Sequence, residues 1–312
     1  MNGTMADMSK PFTLIQLRYF AVVAQQENMT EAAMELRITQ SALSAAIASL
    51  ERELDVQLFI RGRQRGLALS AAGRQFAQEV VPFLEHADLL YDAGRGMATE
   101  LSGELTVGVF GPLAPFRAPV ILREFESRHP RVNVSFIEGD QEHLRSTLLD
   151  GRCELALMYD LGLGDGFETE VLQRIPVHAL VHAGHRLAGR GPAGVRLAEL
   201  AAEPLILLDL PHTREYYISV FAAAGVNPRI RHRASGYETV RSFVASGHGY
   251  SILNQRLVHD LTYVGAPVVP LPVVDQVPGI EVMLVRPQGT RPTRRAEAFA
   301  EVCRHVYGLD VG

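Results

Sequence analysis

The sequence contains no run of about 18 apolar residues, so no membrane-spanning helix is expected. Met1 to Lys10 is polar and of mixed charge, without the apolar centre of a secretory leader, and a cytoplasmic location is the expectation. Cysteine is nearly absent. Cys153 and Cys303 lie far apart, each beside apolar residues, which supports neither a disulfide framework nor a zinc site. Buried structural thiols are expected, because a redox sensor needs an exposed, electropositive thiol and a resolving partner nearby. Lysine is scarcer still: Lys10 is the sole one among 30 basic residues, a bias read as genomic composition. Nor is positive charge in excess, the formal net charge being −5. That excludes a chain coated with basic groups, but not one small domain that touches nucleic acid. No Ser/His/Asp ordering, Gly-rich phosphate loop or carboxylate pair stands out, so neither an enzyme nor a cofactor is expected. His178, His182 and His185 lie close together without an acidic or cysteine partner in sequence, and they read as structural rather than metal-binding.

With 47% hydrophobic and 21% charged residues the composition is that of a folded protein, and 312 residues suffice for two or three domains. Leu14 to Gln26 carries Leu14, Leu17, Phe20, Ala21 and Ala24 at helical spacing. From Met29 to Leu50 two short helices flank a tight turn, with Ala33, Leu36, Ile38, Leu43, Ile47 and Leu50 as the buried face. Thr39-Gln40-Ser41 starts the second of them with polar side chains outward, as a helix-turn-helix presents its recognition helix to the DNA major groove. Gln57–Arg61 and Leu67–Leu69 read as strands around the turn 62–66, which crowds Arg61, Arg63 and Arg65 into one segment and makes a wing. Ser70 should cap a long helix reaching about Met97. Its stripe of Phe76, Val80, Phe83, Ala87, Leu90 and Gly94 has little of so small a domain to pack on, and burial against another chain is expected. Pro82 should kink or loosen this helix.

From Glu104 the pattern becomes α/β. Strands at 105–110, 132–137 and 154–158 alternate with helices at 115–128 and 141–149, which implies a parallel sheet. A second block, from near Val171, holds strands at 177–181, 205–208, 229–232 and 251–253 and helices at 213–224 and 237–246. The strand Ile280–Val285 and the helix Thr293–Val306 return to the first block. The expected divisions are an all-α winged helix-turn-helix domain at 12–70, a linker and dimerisation helix at 71–102, and an α/β domain at 103–312. Within the last, the first lobe takes about 103–165 and 270–312, and the second about 166–269.

Leu17-Arg18-Tyr19-Phe20, Thr30-Glu31-Ala32-Ala33, Gln40-Ser41-Ala42-Leu43-Ser44, Leu50-Glu51-Arg52-Glu53-Leu54, Leu58-Phe59-Ile60-Arg61 and Leu69-Ser70-Ala71-Ala72-Gly73 follow one another in a specific order and spacing. Together they resemble the LysR-type transcriptional regulators, over essentially the whole chain after Phe12. Farther on, Phe125-Glu126-Ser127-Arg128-His129-Pro130 and Gly151-Arg152-Cys153-Glu154-Leu155-Ala156 are also similar to that family. The resemblance implies a homo-oligomer, usually a tetramer, and a C-terminal domain of the type 2 periplasmic-binding-protein fold, two lobes with an effector cleft between them. It further implies binding to double-stranded promoter DNA, altered when a small molecule fills the cleft, and contact with RNA polymerase. Two residues depart from the family pattern. Ala45 stands where members often carry a polar or basic residue, and Ala68 where the second wing strand often carries Arg; both thin out the DNA contacts.

Gln40 is the expected base reader, since its amide can bond adenine in bidentate fashion. Ser41 and Ser44 reach bases or phosphates, Thr30 anchors a phosphate, and Arg61, Arg63 and Arg65 suit phosphates or the minor groove. Arg52 is either a DNA contact or an intrahelical partner of Glu51 or Glu53. For the effector, the loops after strands and at helix starts nominate Phe110, Gly111, Pro112, Asp140, Tyr159, His212, Thr213, Arg214, Gly247 and His248. An aromatic or heterocyclic metabolite packed on Phe110 and oriented by His212 and Arg214 is the expectation. Phe110 and Pro112 replace the hydroxyl that many members use to hold a ligand carboxylate. Two other readings stay open: a cytoplasmic solute-binding protein whose N-terminal helices only dimerise, and an oxidation sensor that brings Cys153 and Cys303 together.

Overall fold

The computed structural model describes residues 12–61, 67–94 and 101–309. Helix α1 (Leu14–Gln26) begins with a capping box, in which the Thr13 hydroxyl accepts the Gln16 N–H and the Gln16 side chain accepts the Thr13 N–H. Asn28 caps α2 (Met29–Glu35) and Thr39 caps α3 (Gln40–Leu54), each through its side-chain oxygen. Their inner faces meet over Leu17, Phe20, Ala33, Leu43, Ile47 and Leu50, while Leu36 and Ile38 are only half-buried and Leu14 is exposed. Strands β1 (Phe59–Arg61) and β2 (Leu67–Leu69) pair antiparallel as the expected wing, with Arg63 and Arg65 lying outside the described residues. The Glu51 carboxylate fastens β1 to α3 by accepting the N–H groups of Leu58 and Phe59, at 2.7 and 3.0 Å.

Ser70 caps α4 (Ala71–Gly94) through the Gly73 N–H, and the helix continues through Pro82. Gly73 is required by proximity: a Cβ there would stand 2.0 Å from the Leu58 carbonyl oxygen. The stripe on α4 divides. Ala77 and Val80 are buried in the chain's own winged unit, because the first turns of α4 lie back on α1, whereas Phe83 and Leu90 remain exposed.

The first lobe is built on β3 (Gly103–Phe110), α5 (Ala114–Arg128), β4 (Val132–Gly139), α6 (Gln141–Leu149) and β5 (Leu155–Tyr159). β6 (Phe167–Ile175) follows. The second lobe then takes β7 (His178–His182), two 3-10 turns, β8 (Pro204–Leu208), α7 (Thr213–Ala223), β9 (Arg229–Ala234), α8 (Tyr237–Ala245), β10 (Ser251–Leu253) and β11 (Val268–Pro272). β12 (Ile280–Pro287) and α9 (Arg294–Val306) complete the first lobe.

Two expectations change here. The first-lobe sheet, ordered β4-β3-β5-β12-β6, is mixed rather than parallel: β3 runs parallel to β4 and β5, but β12 runs antiparallel to β5 and β6. It also keeps residues 167–175, because β6 pairs along β12, so the first crossing between lobes falls after Ile175 and not near 165. In the other direction β11 pairs with β7, which carries the second lobe to Pro272. The prolines at 270 and 272 hid β11 in the sequence, and they are tolerated because β11 is an edge strand of its sheet. The cores of the two lobes form one continuous apolar cluster.

Candidate functional site

On the N-terminal unit, Gln40, Ser41 and Ser44 are exposed on the outer face of α3, with Ala45 and Ala48 beside them. The buried face of Leu43, Ile47 and Leu50 fixes this rotation, since residues three and four apart share one side of a helix. Thr30 is exposed in the first turn of α2, and its backbone N–H is held by Asn28. Arg52 is exposed near the end of α3. The intrahelical partner considered for it is not made: Glu51 is engaged by the β1 backbone and Glu53 accepts from Ser49. Arg61 ends β1. Gln40, Ser41 and Ser44 therefore share the solvent-facing side of α3, and Thr30 is exposed at the start of α2.

In the C-terminal domain a cleft of about 610 Å³ opens between the lobes. Gly111 and Pro112 after β3, Phe116 on α5, and Glu138 to Asp140 at the end of β4 form one wall. Ser235, Gly236 and Tyr237 to Thr239, at the start of α8, form the other with Leu210, Leu257 and Tyr263. Phe116 and Tyr237 meet edge to face across the two walls, their centroids 5.6 Å apart. Arg241, only 2% exposed, supports the second wall: it bonds Glu238 at 2.9 Å and the Leu261 carbonyl at 2.8 Å, and Glu238 also accepts the Tyr263 N–H. Burial pushes the Tyr237 hydroxyl up to about 12, so it stays protonated and donates to the Gln255 carbonyl. A second cavity, about 500 Å³, lies between α4 and the first lobe, with the ion pairs Arg286–Glu168 and Arg304–Glu170 in its charged lining beside Glu154, Arg291, Glu297 and Glu301. It is a joint between domains, and the interlobe cleft is the better ligand site, being set at strand ends and helix starts.

Residues 14–74 match the model of the bacterial regulatory helix-turn-helix proteins of the LysR family, and residues 98–308 match the LysR substrate binding domain. The chain is a LysR-type transcriptional regulator. It is 31% identical over 234 residues to the HTH-type transcriptional regulator CysB of Burkholderia cenocepacia, covering 74% of each chain. It superposes on the crystal structure of HinK, a LysR family regulator from Pseudomonas aeruginosa, with a TM-score of 0.63 and 31% identity, covering 95% of this chain and 98% of that one. A full-length OxyR variant from Pseudomonas aeruginosa shares the fold, with a TM-score of 0.74 at 23% identity over 94% of this chain and 95% of that one.

In this LysR-type regulator, Gly111, Pro112 and Asp140 lie on the cleft wall as expected from the sequence, and the other nominated effector residues do not. Phe110 and Tyr159 are buried beneath it, their rings 5.0 Å apart, because β3 and β5 are central strands whose ends are covered on both faces. The Thr213 hydroxyl is spent within its own turn on the Leu210 backbone. Arg214 is locked in a bidentate pair with Asp209, whose carboxyl it holds below the usual carboxylate range. His212 packs on Gly162 and approaches Glu142 at 3.5 Å, so it touches the first lobe outside the cleft. Gly247 and His248 follow the C-terminal end of α8, and the cleft lies at its N-terminal end. The signal that would have found Ser235 to Thr239 is that same rule: a Ser-Gly pair between a strand end and a helix start.

Burial pulls His178 down to about 4, leaving it neutral. His185 does have an acidic partner that the sequence hid, with Glu203 at 2.6 Å, but no metal-holding group of three occurs among the described residues. Both cysteines are buried and free, and burial pushes Cys153 up to about 12 and Cys303 higher still.

Proposed function

We propose that this regulator couples occupancy of the interlobe cleft to promoter binding by its winged unit, in a homotetramer that contacts RNA polymerase. The observation that carries the reading is the cleft itself, walled by strand-end loops of both lobes, so that a ligand holding them together selects one lobe arrangement. Gln40, Ser41 and Ser44 read bases in the major groove, Thr30 and Arg52 hold phosphates, and Arg61, Arg63 and Arg65 follow the backbone or the adjacent minor groove. Exposed Phe83 and Leu90 on α4 favour the helix as a contact between subunits. α4 is also tied to the first lobe, where Glu85 accepts the Arg294 N–H at 3.0 Å and pairs with Arg295 at 3.3 Å. A lobe movement would thereby reach the DNA-binding unit.

The test uses the full chain on a duplex selected from a random library. A Thr239→Trp variant, which fills the cleft, should keep its operator affinity in a fluorescence-anisotropy titration. It should also lose the change in affinity that a metabolite panel produces in the unaltered protein. Equal responses from the two proteins would remove the cleft from the mechanism.

A further inference from the structure

We infer that the cleft recognises an organic cation, an ammonium group on an apolar body, rather than a carboxylate. The inference rests on the cleft being the effector site and specifies the chemistry of its ligand. The titratable carboxylates on its walls are Glu138, Asp140 and Glu238, and no Arg, Lys or His lines it among the described residues. His143 packs its ring on Gly139 but lies outside the lining. Two of the carboxylates are already engaged. Asp140 accepts the His143 N–H as the cap of α6, and Glu238 is answered by Arg241 and the Tyr263 N–H. Glu138 is exposed and has no hydrogen bond or ion pair with the described residues, and its Oε1 hangs over Gly111 at the cleft. It is the open charge of the site.

Helix starts ordinarily attract anions through free N–H groups and the positive end of the dipole. Two of those beside this cleft are partly compensated from within, and the third is not. α5 carries Pro115, which has no N–H, in its first turn, and α6 is capped by Asp140; α8 has no side-chain cap, and Glu238 in its first turn is paired with Arg241. A ligand carboxylate would find donors at the start of α8 and in the Ser235 and Thr239 hydroxyls, but would have to lie beside the open negative charge of Glu138. A cation would meet Glu138 and the rings of Phe116, Tyr237 and Tyr263, whose faces are electron-rich. The carboxylates do not converge into a metal-holding group, so the charge they suit is spread over an organic ligand.

Isothermal titration of the full-length protein with benzyltrimethylammonium, phenethylammonium, phenylacetate and benzyl alcohol tests the inference. The two ammonium probes should bind at least about tenfold more tightly than phenylacetate. Glu138→Gln, checked for an unchanged unfolding temperature, should weaken both by about tenfold and leave benzyl alcohol alone. Thr239→Trp should abolish binding. Tighter binding of phenylacetate, lost in Thr239→Trp, would overturn the cation while leaving the cleft as the effector site. Ammonium binding that survives Thr239→Trp would instead overturn the cleft. Failure of both ammonium probes to bind at millimolar concentration would also overturn the inference.

Discussion

In the winged unit the exposed polar groups of α2 and α3 fall between Thr30 and Arg52, and the helices that carry them are oriented by buried residues of the same short segment. The cleft is assembled differently: its walls come from residues 111–116, 138–140, 210, 235–239 and 257–263, on two lobes joined by strands far apart in sequence. The first surface is a property of one helix face and changes when a side chain on it changes. The second is a property of how two lobes sit together, so residues that never touch a ligand can alter it. Arg241 is such a residue, buried behind the wall and holding Glu238 and the Leu261 carbonyl in place.

The sharpest way to break the comparison is Phe20→Ala. Phe20 is fully buried between Phe59 and Phe76, at 5.4 and 5.0 Å, and its truncation should cost about 3–5 kcal/mol. DNA binding should be lost while the effector domain keeps its own calorimetric transition; a single lowered transition would mean that the two regions are not independent. Arg241→Ala should cost about 3 kcal/mol, at the low end for a broken buried pair because Glu238 is partly hydrated. Here operator affinity should persist and the cleft should lose its ligand response, as read by anisotropy with and without ligand. Gln40→Ala should remove about 1–3 kcal/mol of discrimination at one base pair. Arg63→Ala should instead weaken all sequences alike and flatten the salt dependence, and shift assays at two salt concentrations separate the two.

A smaller effect tests the joint between the regions. Glu154 is half-buried and accepts the Thr293 hydroxyl at 2.6 Å, and desolvation raises its pKa above the ordinary 4.5. The folded state therefore holds its proton more tightly than the unfolded state. The stability it contributes is present below pH 4.5 and is lost as pH rises through the raised value. Glu154→Gln should flatten that decline in urea titrations between pH 4 and 8, gaining most at the alkaline end; an unchanged slope would sink the assignment. The smallest effect is expected at the cysteines. Buried and protonated, Cys153 and Cys303 should resist iodoacetamide in the folded protein, and peroxide should leave operator binding unchanged. Rapid labelling of either would revive oxidation sensing.

Legibility followed the same divide. The bounds of α1 and α6 agree with the periodicity residue for residue, because caps at Thr13 and Asp140 and a regular apolar stripe are local signals. Gln40, Ser41 and Ser44 were legible for the same reason. Arg214 looked available because a guanidinium beside a helix start is an anion site until its partner is known, and that partner, Asp209, lies on the preceding strand end. Phe110 looked like a platform because the sequence does not say that the end of β3 is covered on both faces. β6 was assigned to the second lobe because its pairing partner, β12, lies about a hundred residues downstream.

Sequence alone determined the family, the winged unit and the exposed polar row on α3, since local spacing and capping settle which way a helix faces. Tertiary structure decided which loops meet, that the start of α8 rather than its end borders the cleft, and that Arg214 is spent on Asp209. It also left Glu138 as the open charge, because a side chain's partners depend on neighbours that only folding brings within reach.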